Sequence, residues 1–343
     1  MRGCTLINAF KNKTLLITGG TGSFGSTVLN KLLDKDMKEI RVFSRDEKKQ
    51  HDLRLQYNHP SLNFVIGDIR DYFSCLEASK GVDYIYHAAA MKQVPSSEFF
   101  PMEAIKTNII GANNLFRSAI ENEVSKVIAL STDKAAYPVN SMGMTKALME
   151  KLLFSFCRGN TKDTTFCCTR YGNVLASRGS VVPLFINQIL EKRDITITNE
   201  NMTRFVMNLD EAVDLVEFAF KEGQQGDLLI QKSPSSTILD LAEALKEIFQ
   251  SKDSKIKIIG KREGEKMHET LLTSEELSRS EEMKRYFRVV IDSQNNNYSN
   301  YFDEGNKEID FLEGYNSGNT TRLTKEQLIT KLLELDLVKS KLN

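Results

Sequence analysis

Thr14-Leu-Leu-Ile-Thr18, running straight into Gly19-Gly-Thr-Gly-Ser-Phe-Gly25, is the stretch that decides the fold. Five β-prone residues meet a glycine turn, and the helix-patterned segment Ser23–Asp34 begins inside that turn. Gly19, Gly22 and Gly25 fit G-x-x-G-x-x-G, while Gly20, Gly22 and Gly25 fit G-x-G-x-x-G. Glycine is needed where a chain turns sharply and its backbone must approach a pyrophosphate. The phosphate then faces the free N–H groups and positive dipole end of the helix. Between a buried strand and a helix, this turn points to a dinucleotide, with Thr21, Ser23 and Phe24 among the residues around it.

Working outward, the next strand, Ile40-Arg-Val-Phe43, ends at Ser44-Arg45-Asp46-Glu47-Lys48-Lys49. NAD enzymes place a carboxylate for the ribose hydroxyls at about this spacing. Here a hydroxyl and a guanidinium come first, which suits the 2′-phosphate of NADP, with Lys48 as a helper. Asp68 and Ile69 follow a third strand, Leu62–Ile66, and are candidates to flank the adenine; Asp68 alternatively caps a helix. Further strands are expected at 83–87, 127–131 and 165–169, and helices at 46–57, 71–79, 101–122 and 142–158. This alternation predicts an α/β fold: a doubly wound parallel sheet covered by helices on both faces.

After Tyr171 the rhythm changes. Helices are expected at 181–191, 209–220 and 238–249, with short strands at 195–197 and 255–259. Residues 1–175, with a return segment near 205–232, are assigned to the nucleotide-binding domain. Residues 176–343 are assigned mainly to a smaller mixed α/β lobe for substrate, containing a long loop at 292–305 and a final helix at 324–337. No internal repeat is evident.

The 343 residues are enough for a large core and two lobes. Lys+Arg and Asp+Glu both total 46, so no net charge argues for nucleic acid or a membrane surface. Five cysteines, an odd number without a C-x-x-C pair, read as free thiols in a reducing cytoplasm rather than a metal site. The segment Met1–Phe10 has no signal-peptide pattern, and no run approaches the ~20 apolar residues of a membrane span.

Ser131-Thr132-Asp133-Lys134 ends an apolar strand, where side chains of doubly wound sheets face the ligand crevice. A hydroxyl, a carboxyl and an amine in succession offer a hydrogen-bonding group, an acid and a base. Lys146 follows twelve residues later on a helix. Thr18–Gly25, His87-Ala88-Ala89-Ala90, Asn108, Ser131–Lys134 and the Met142-x-x-x-Lys146 pair resemble the extended short-chain dehydrogenases in order and spacing. That resemblance implies a Rossmann-like domain, with Ala88, Ala89, Ala90 and Lys146 touching the cofactor. More narrowly, Arg45-Asp-Glu-Lys-Lys49, Ala88–Pro95, Asn108–Gly111, Ser131–Ala136, Arg170–Val174, Met202–Phe205, Arg262–Lys266 and Tyr315–Leu323 resemble the UDP-N-acetylglucosamine 4,6-dehydratases that invert carbon 5. Within that family the chain resembles the capsular and O-antigen enzymes on the route to N-acetyl-L-fucosamine.

The resemblance implies the following chemistry. NADP⁺ takes a hydride from carbon 4; the resulting ketone acidifies the carbon-5 proton; the carbon-6 hydroxyl leaves as water; the hydride returns to carbon 6. Thr132 is expected to bind the carbon-4 oxygen, Asp133 to protonate the leaving hydroxyl and Lys134 to carry the carbon-5 proton. Ordinary dehydratases carry glutamate where this chain has Lys134. The wider family has tyrosine where this chain has Met142, and a thioether is a poor proton acceptor. The base for the carbon-4 hydroxyl is left between Lys146, aided by water or Asp133, and Tyr137. For the UDP-sugar, the resemblance implies Lys92, Asn173, Thr196, Arg204, Arg262 and Glu265, the two arginines matching the diphosphate in bidentate geometry. It also implies a homo-oligomer, such as a hexamer. His268 is read as a surface histidine, and no metal is expected. The rivals are a 4-epimerase, which needs no acid for a leaving hydroxyl, a retaining dehydratase, and a non-catalytic NADP sensor.

Overall fold

The protein is described by a computed structural model covering residues 9–158, 164–177, 179–290 and 313–342. Strand β1 (Thr14–Thr18) is completely buried and pairs in parallel with β2 (Glu39–Ser44) on one side and β4 (Tyr84–His87) on the other. Beyond β2 lies β3 (Leu62–Ile66); beyond β4 come β5 (Lys126–Leu130), β6 (Thr165–Arg170) and the strand Asp227–Gln231, all parallel. The sheet order therefore reverses between β1 and β4, and the crevice opens at the carboxyl ends of these strands. Strand Asp227–Gln231 falls in the expected return segment. Tyr286–Val290 and Ser280–Glu282 extend that edge antiparallel, completing nine strands, and neither was expected.

Alternation along β1 sorts its side chains between two cores. Leu15 and Ile17 pack on one face with Val28, Leu29 and Leu32 of helix α1 (Ser23–Leu32) and with the helix Leu209–Glu222. Leu16 packs on the other, with α3 (Tyr72–Ala78), α6 (Gly111–Glu121) and α7 (Ser141–Arg158). Helices cover both faces, so the fold is α/β and Rossmann-like. Helix α2 (Glu47–Tyr57) links β2 to β3. A third core joins Val182, Phe185 and Ile186 to Ile195, Ile197, Leu241, Leu245, Leu328 and Leu332. Cys75, Cys167 and Cys168 are buried, Cys157 is partly so, and all four are free thiols.

Several expectations need correction. The helix expected at 101–122 runs from Pro101 to Glu121 but carries a π-helical turn at Lys106–Ile110, between α5 (Pro101–Ile105) and α6, and a short α4 (Val94–Phe99) precedes it. Asp71, not Asp68, caps α3, accepting from the N–H groups of Phe73 and Ser74. The final helix divides into Lys325–Leu333 and Asp336–Leu342. The loop expected at 292–305 and Cys4 lie outside the described residues. No described helix is long and apolar enough to cross a membrane.

Candidate active site

The glycine turn comes first because its geometry forbids side chains. Gly19 has φ +68°, and a Cβ there would sit 2.7 Å from Ala89 Cα. A Cβ on Gly25 would sit 2.6 Å from both Gly19 O and Gly20 Cα. Gly22 is the N-cap of α1 and offers no side-chain acceptor, leaving first-turn N–H groups for an anion. Backbone close to backbone, above an uncapped ten-residue helix, fits a dinucleotide pyrophosphate.

This turn floors one end of a cleft of about 940 Å³. Gly19, Thr21, Gly22, Ser23, Phe24, Gly25, Ser44, Arg45, Asp68, Ile69, Ala88, Ala89 and Ala90 line it. Thr21 Oγ1 and Ser44 Oγ are hydrogen-bonded at 2.9 Å. The Arg45 guanidinium is more than half exposed at the rim, 3.5 Å from Asp68. Asp68 is gripped by Arg70 at 2.7 and 2.9 Å. Lys48 points away, pairing with Asp52 at 2.8 Å; Lys49, paired with Asp46, lines the cleft in its place. One residue along a helix is a rotation of about 100°.

The other end of the cleft holds Thr132, Asp133, Lys134, Met142 and Lys146, together with Lys92 and Asn173. Backbone bonds from Ser131 N to Thr169 O and from Asp133 N to Tyr171 O tie the ends of β5 and β6 together. Thr132 caps a short turn over Asp133–Ala135. A Cβ at Gly143 would lie 2.3 Å from Lys134 O, so glycine lets α7 press against this turn. Met142 and Lys146, four residues apart, then share the face of α7 toward the cleft. The Met91 backbone is fixed by the buried Asn108, which sits in the π turn: Oδ1 accepts from Met91 N at 2.8 Å, and Nδ2 donates to Met91 O at 3.0 Å.

Asp133 is almost wholly buried. Its Oδ1 accepts from Thr132 Oγ1 and from Lys134 Nζ, each at 2.9 Å, while Oδ2 has no partner among the described residues. Burial raises its carboxyl above the ordinary range; Lys134 and Thr132 oppose this in part, and Glu269 reinforces it. Burial pulls Lys134 down, but Asp133 and Glu269 outweigh it and hold the ammonium above its usual value. Lys146 is buried too and donates to Leu130 O at 2.6 Å. Here burial dominates, and the amine is lowered to about 8. Beneath it, His87 is bound to Thr18 Oγ1 at 2.8 Å; burial, then the charge of Lys146, lowers it to about 3, so its imidazole is neutral.

Tyr137 stands elsewhere: half-exposed, it accepts from Ser274 N at 3.0 Å and is not in the cleft lining. Four substrate candidates also lie outside the lining. Thr196 is engaged with Gln188, which donates to its hydroxyl at 2.9 Å. Arg204 spends its guanidinium on the carbonyls of Thr203 and Lys266, at 2.7 and 3.0 Å. Arg262 and Glu265 pair with each other at 3.6 Å. Asn173 Oδ1, by contrast, is buried without a partner among the described residues. His268 is exposed and bonded to Thr203 Oγ1 at 2.7 Å, and no described cluster of His, Cys, Asp or Glu could hold a metal ion.

Two site residues escaped the sequence reading. Tyr171 lines the cleft, stacked on Phe24 at 4.9 Å, inside the Arg170–Val174 motif, where the sequence alone assigns its ring no role. Glu269 reaches to 3.6 Å from Lys134 Nζ across more than a hundred residues of chain, and nothing local signals it.

Comparison with known proteins adds identity to this geometry. A family profile described as "Polysaccharide biosynthesis protein" matches residues 15–291, and its companion, "Polysaccharide biosynthesis protein C-terminal", matches 292–339. A protein of Rickettsia bellii named UDP-glucose 4-epimerase is 57% identical, covering 97% of this chain and 99% of its own. One of the same name from Rickettsia felis is 55% identical over the same shares. Among solved structures, Pen from Bacillus thuringiensis superposes with TM-score 0.85 at 36% identity, covering 95% of this chain and 99% of its own. DesIV of Streptomyces venezuelae, a dTDP-glucose 4,6-dehydratase, shares the fold with TM-score 0.67 at 22% identity, covering 74% of this chain and 86% of its own.

Proposed function

The chain belongs to the polysaccharide biosynthesis protein family, and from that premise we propose that it is an NADP-dependent UDP-N-acetylglucosamine 4,6-dehydratase that inverts carbon 5. One observation carries the reading: the buried Asp133 and the partly buried Lys134, 2.9 Å apart, share a cleft with the glycine turn and Lys146. Epimerisation at carbon 4 has no use for an acid that expels a hydroxyl. Dehydration needs an acid and a base together.

The glycine turn, Ser44, Arg45 and Lys49 would hold NADP, which when bound supplies hydride transfer from carbon 4 and back to carbon 6. Thr132 holds the carbon-4 oxygen. Lys146, lowered to about 8, is the base we assign to the carbon-4 hydroxyl, in preference to Tyr137, which is half-exposed, bonded to Ser274 and outside the cleft lining. The ammonium that Lys146 becomes on taking the proton then stabilises the negative charge developing on the carbon-4 oxygen. Asp133 and Lys134 rest as an ion pair. A proton moved from Lys134 Nζ to Asp133 Oδ1 converts them to carboxylic acid and free amine. The amine then takes the carbon-5 proton, the acid protonates the carbon-6 hydroxyl, water departs, and the ion pair is restored. Solvent protonates carbon 5 from the opposite face, balanced by release to solvent of the proton that Lys146 took from the carbon-4 hydroxyl, and this gives the L-configured 4-keto-6-deoxy sugar, a stereochemistry we carry from the family resemblance. Lys92 and Asn173 are the groups we assign to the UDP-sugar. Homo-oligomeric assembly and a cytoplasmic site of action belong to the same proposal.

A second reading, UDP-sugar 4-epimerase, is favoured by the names of the Rickettsia relatives. Mass spectrometry separates the two. Incubation with UDP-N-acetylglucosamine and NADP⁺ yields a product lighter by one water if the chain dehydrates. A product of unchanged mass, with carbon 4 inverted, establishes the epimerase instead.

A further inference from the structure

Lys134 is held from two sides. In front, toward the cleft, its Nζ lies 2.9 Å from Asp133 Oδ1; on another side it lies 3.6 Å from Glu269 Oε1. Glu269 does not line the cleft, and only 3% of its surface is exposed. Its Oε2 is buried with no partner among the described residues. A buried carboxylate left half unsatisfied is costly unless nearby cations hold it. The cations are Lys134 and Arg204, whose Nε is 3.7 Å away, with Lys266 adding its charge.

The fold takes trouble to place this group. Glu269 N donates to Ser317 Oγ at 3.0 Å, and Ser317 N donates back to Glu269 O at 2.8 Å. Ser317 Oγ in turn is bonded to Thr203 Oγ1 at 2.7 Å. Next along the chain, Thr270–Leu272 pairs antiparallel with Tyr315–Asn316, and Leu271 O accepts from the buried Arg170 at 2.8 Å. The late Tyr315–Leu323 motif, far from the cleft in sequence, thus serves as the clamp on Glu269.

We propose that Glu269 is a positioning residue acting through Lys134: from behind the cleft it holds the amine at Asp133 and fixes how many protons that pair carries. Its catalytic consequence rests on the dehydratase reading; its effect on Lys134 does not. The charged and titratable groups around Lys134 are Asp133, Glu269, Arg204 and Lys266, with Tyr171 beyond Asp133. Glu269 is the member whose charge favours protonation of both Asp133 and Lys134.

The test is Glu269→Gln, which keeps shape and removes charge. Acetylation of Lys134 by acetic anhydride at pH 8 to 9, read by peptide mass spectrometry against the exposed Lys48, needs no substrate. We expect Lys134 to react about tenfold faster or more in Glu269→Gln, since each lost pKa unit frees about tenfold more amine. Glu269→Asp, which restores the charge, should return the rate to within about threefold of wild type. A merely loosened site would gain nothing from the shorter acid. In turnover, both limbs of the pH–rate profile should move to lower pH in Glu269→Gln. An unchanged labelling ratio overturns the proposal, as does a raised ratio that Glu269→Asp does not bring back. If Glu269→Gln does not fold, Ser317→Ala, which frees the Glu269 backbone, must speed labelling while Glu269→Asp stays within about threefold of wild type, and an unchanged rate in Ser317→Ala overturns the proposal. Should labelling respond while wild type removes no water from UDP-N-acetylglucosamine, the dehydratase reading fails and the role of Glu269 stands.

Discussion

Replacing Lys146 with methionine removes an amine that the fold holds at about 8, against 10.5 for a lysine in water. The unfolded chain therefore binds a proton at this site that the folded chain has released, throughout the interval between those two values. Stability contributed by the site rises with pH across that interval, because the unfolded state carries more protons there. The gap amounts to about 3 kcal/mol. Below pH 8 both states are protonated, and the folded protein bears the full penalty of a buried charge. Lys146→Met lifts that penalty and gives up the bond to Leu130 O. Urea unfolding of wild type and variant at half-unit steps from pH 6.5 to 10 measures the difference. The stability of the variant relative to wild type should fall by about 2 to 3 kcal/mol between pH 8 and 10, and be level below pH 7.5. A relative stability flat across the whole range would refute the argument, and with it the reason for assigning Lys146 as the carbon-4 base.

Other predictions address the remaining parts of the cleft. Gly25→Ala places a methyl group 2.6 Å from Gly19 O, so NADPH binding followed by fluorescence should weaken by about 100-fold or more, the helix N-terminus being displaced from the phosphates. Arg45→Ala should raise the Kd for NADP⁺ by about tenfold and leave that for NAD⁺ nearly unchanged, in the range expected for one charge-assisted hydrogen bond; calorimetry with both dinucleotides reads the difference. Asn108→Ala strands the Met91 N–H and C=O together, and urea unfolding should show a loss of about 2 to 3 kcal/mol.

The first half of the fold was legible because its signals are local. Strands 14–18 and 62–66 coincide with their sequence-predicted bounds, as does 195–197 further on, since short β-prone runs bounded by polar or turn residues mark a strand whether it is buried, as 14–18 is, or partly exposed, as 62–66 is. The π turn at 106–110 left no trace, because nothing there breaks a helix; its position is visible only from the Met91 backbone that Asn108 serves. The strand Tyr286–Val290, next to the sheet edge, was hidden by Arg288 in its middle, whose charge is met by Asp227 at 3.1 Å, a partner some sixty residues away. Within the cleft, motif position led to Asp133, Lys134 and Lys146. Lys48, unlike its neighbour Lys49, lies outside the cleft lining, and so does Arg204, whose donors are absorbed by backbone carbonyls. Glu269 was out of reach of any local pattern: its place depends on a clamp formed by Thr203 and Ser317, which meet only in the folded chain.

The account turns on a proton leaving carbon 5 to a neighbouring amine and a proton coming back to the same carbon. Its most direct test is NMR of the product formed from UDP-N-acetylglucosamine and NADP⁺ in heavy water. A single deuterium at carbon 5, an inverted centre there and a methyl group at carbon 6 are the result expected. Protium retained at carbon 5, whatever else has changed in the sugar, would contradict it.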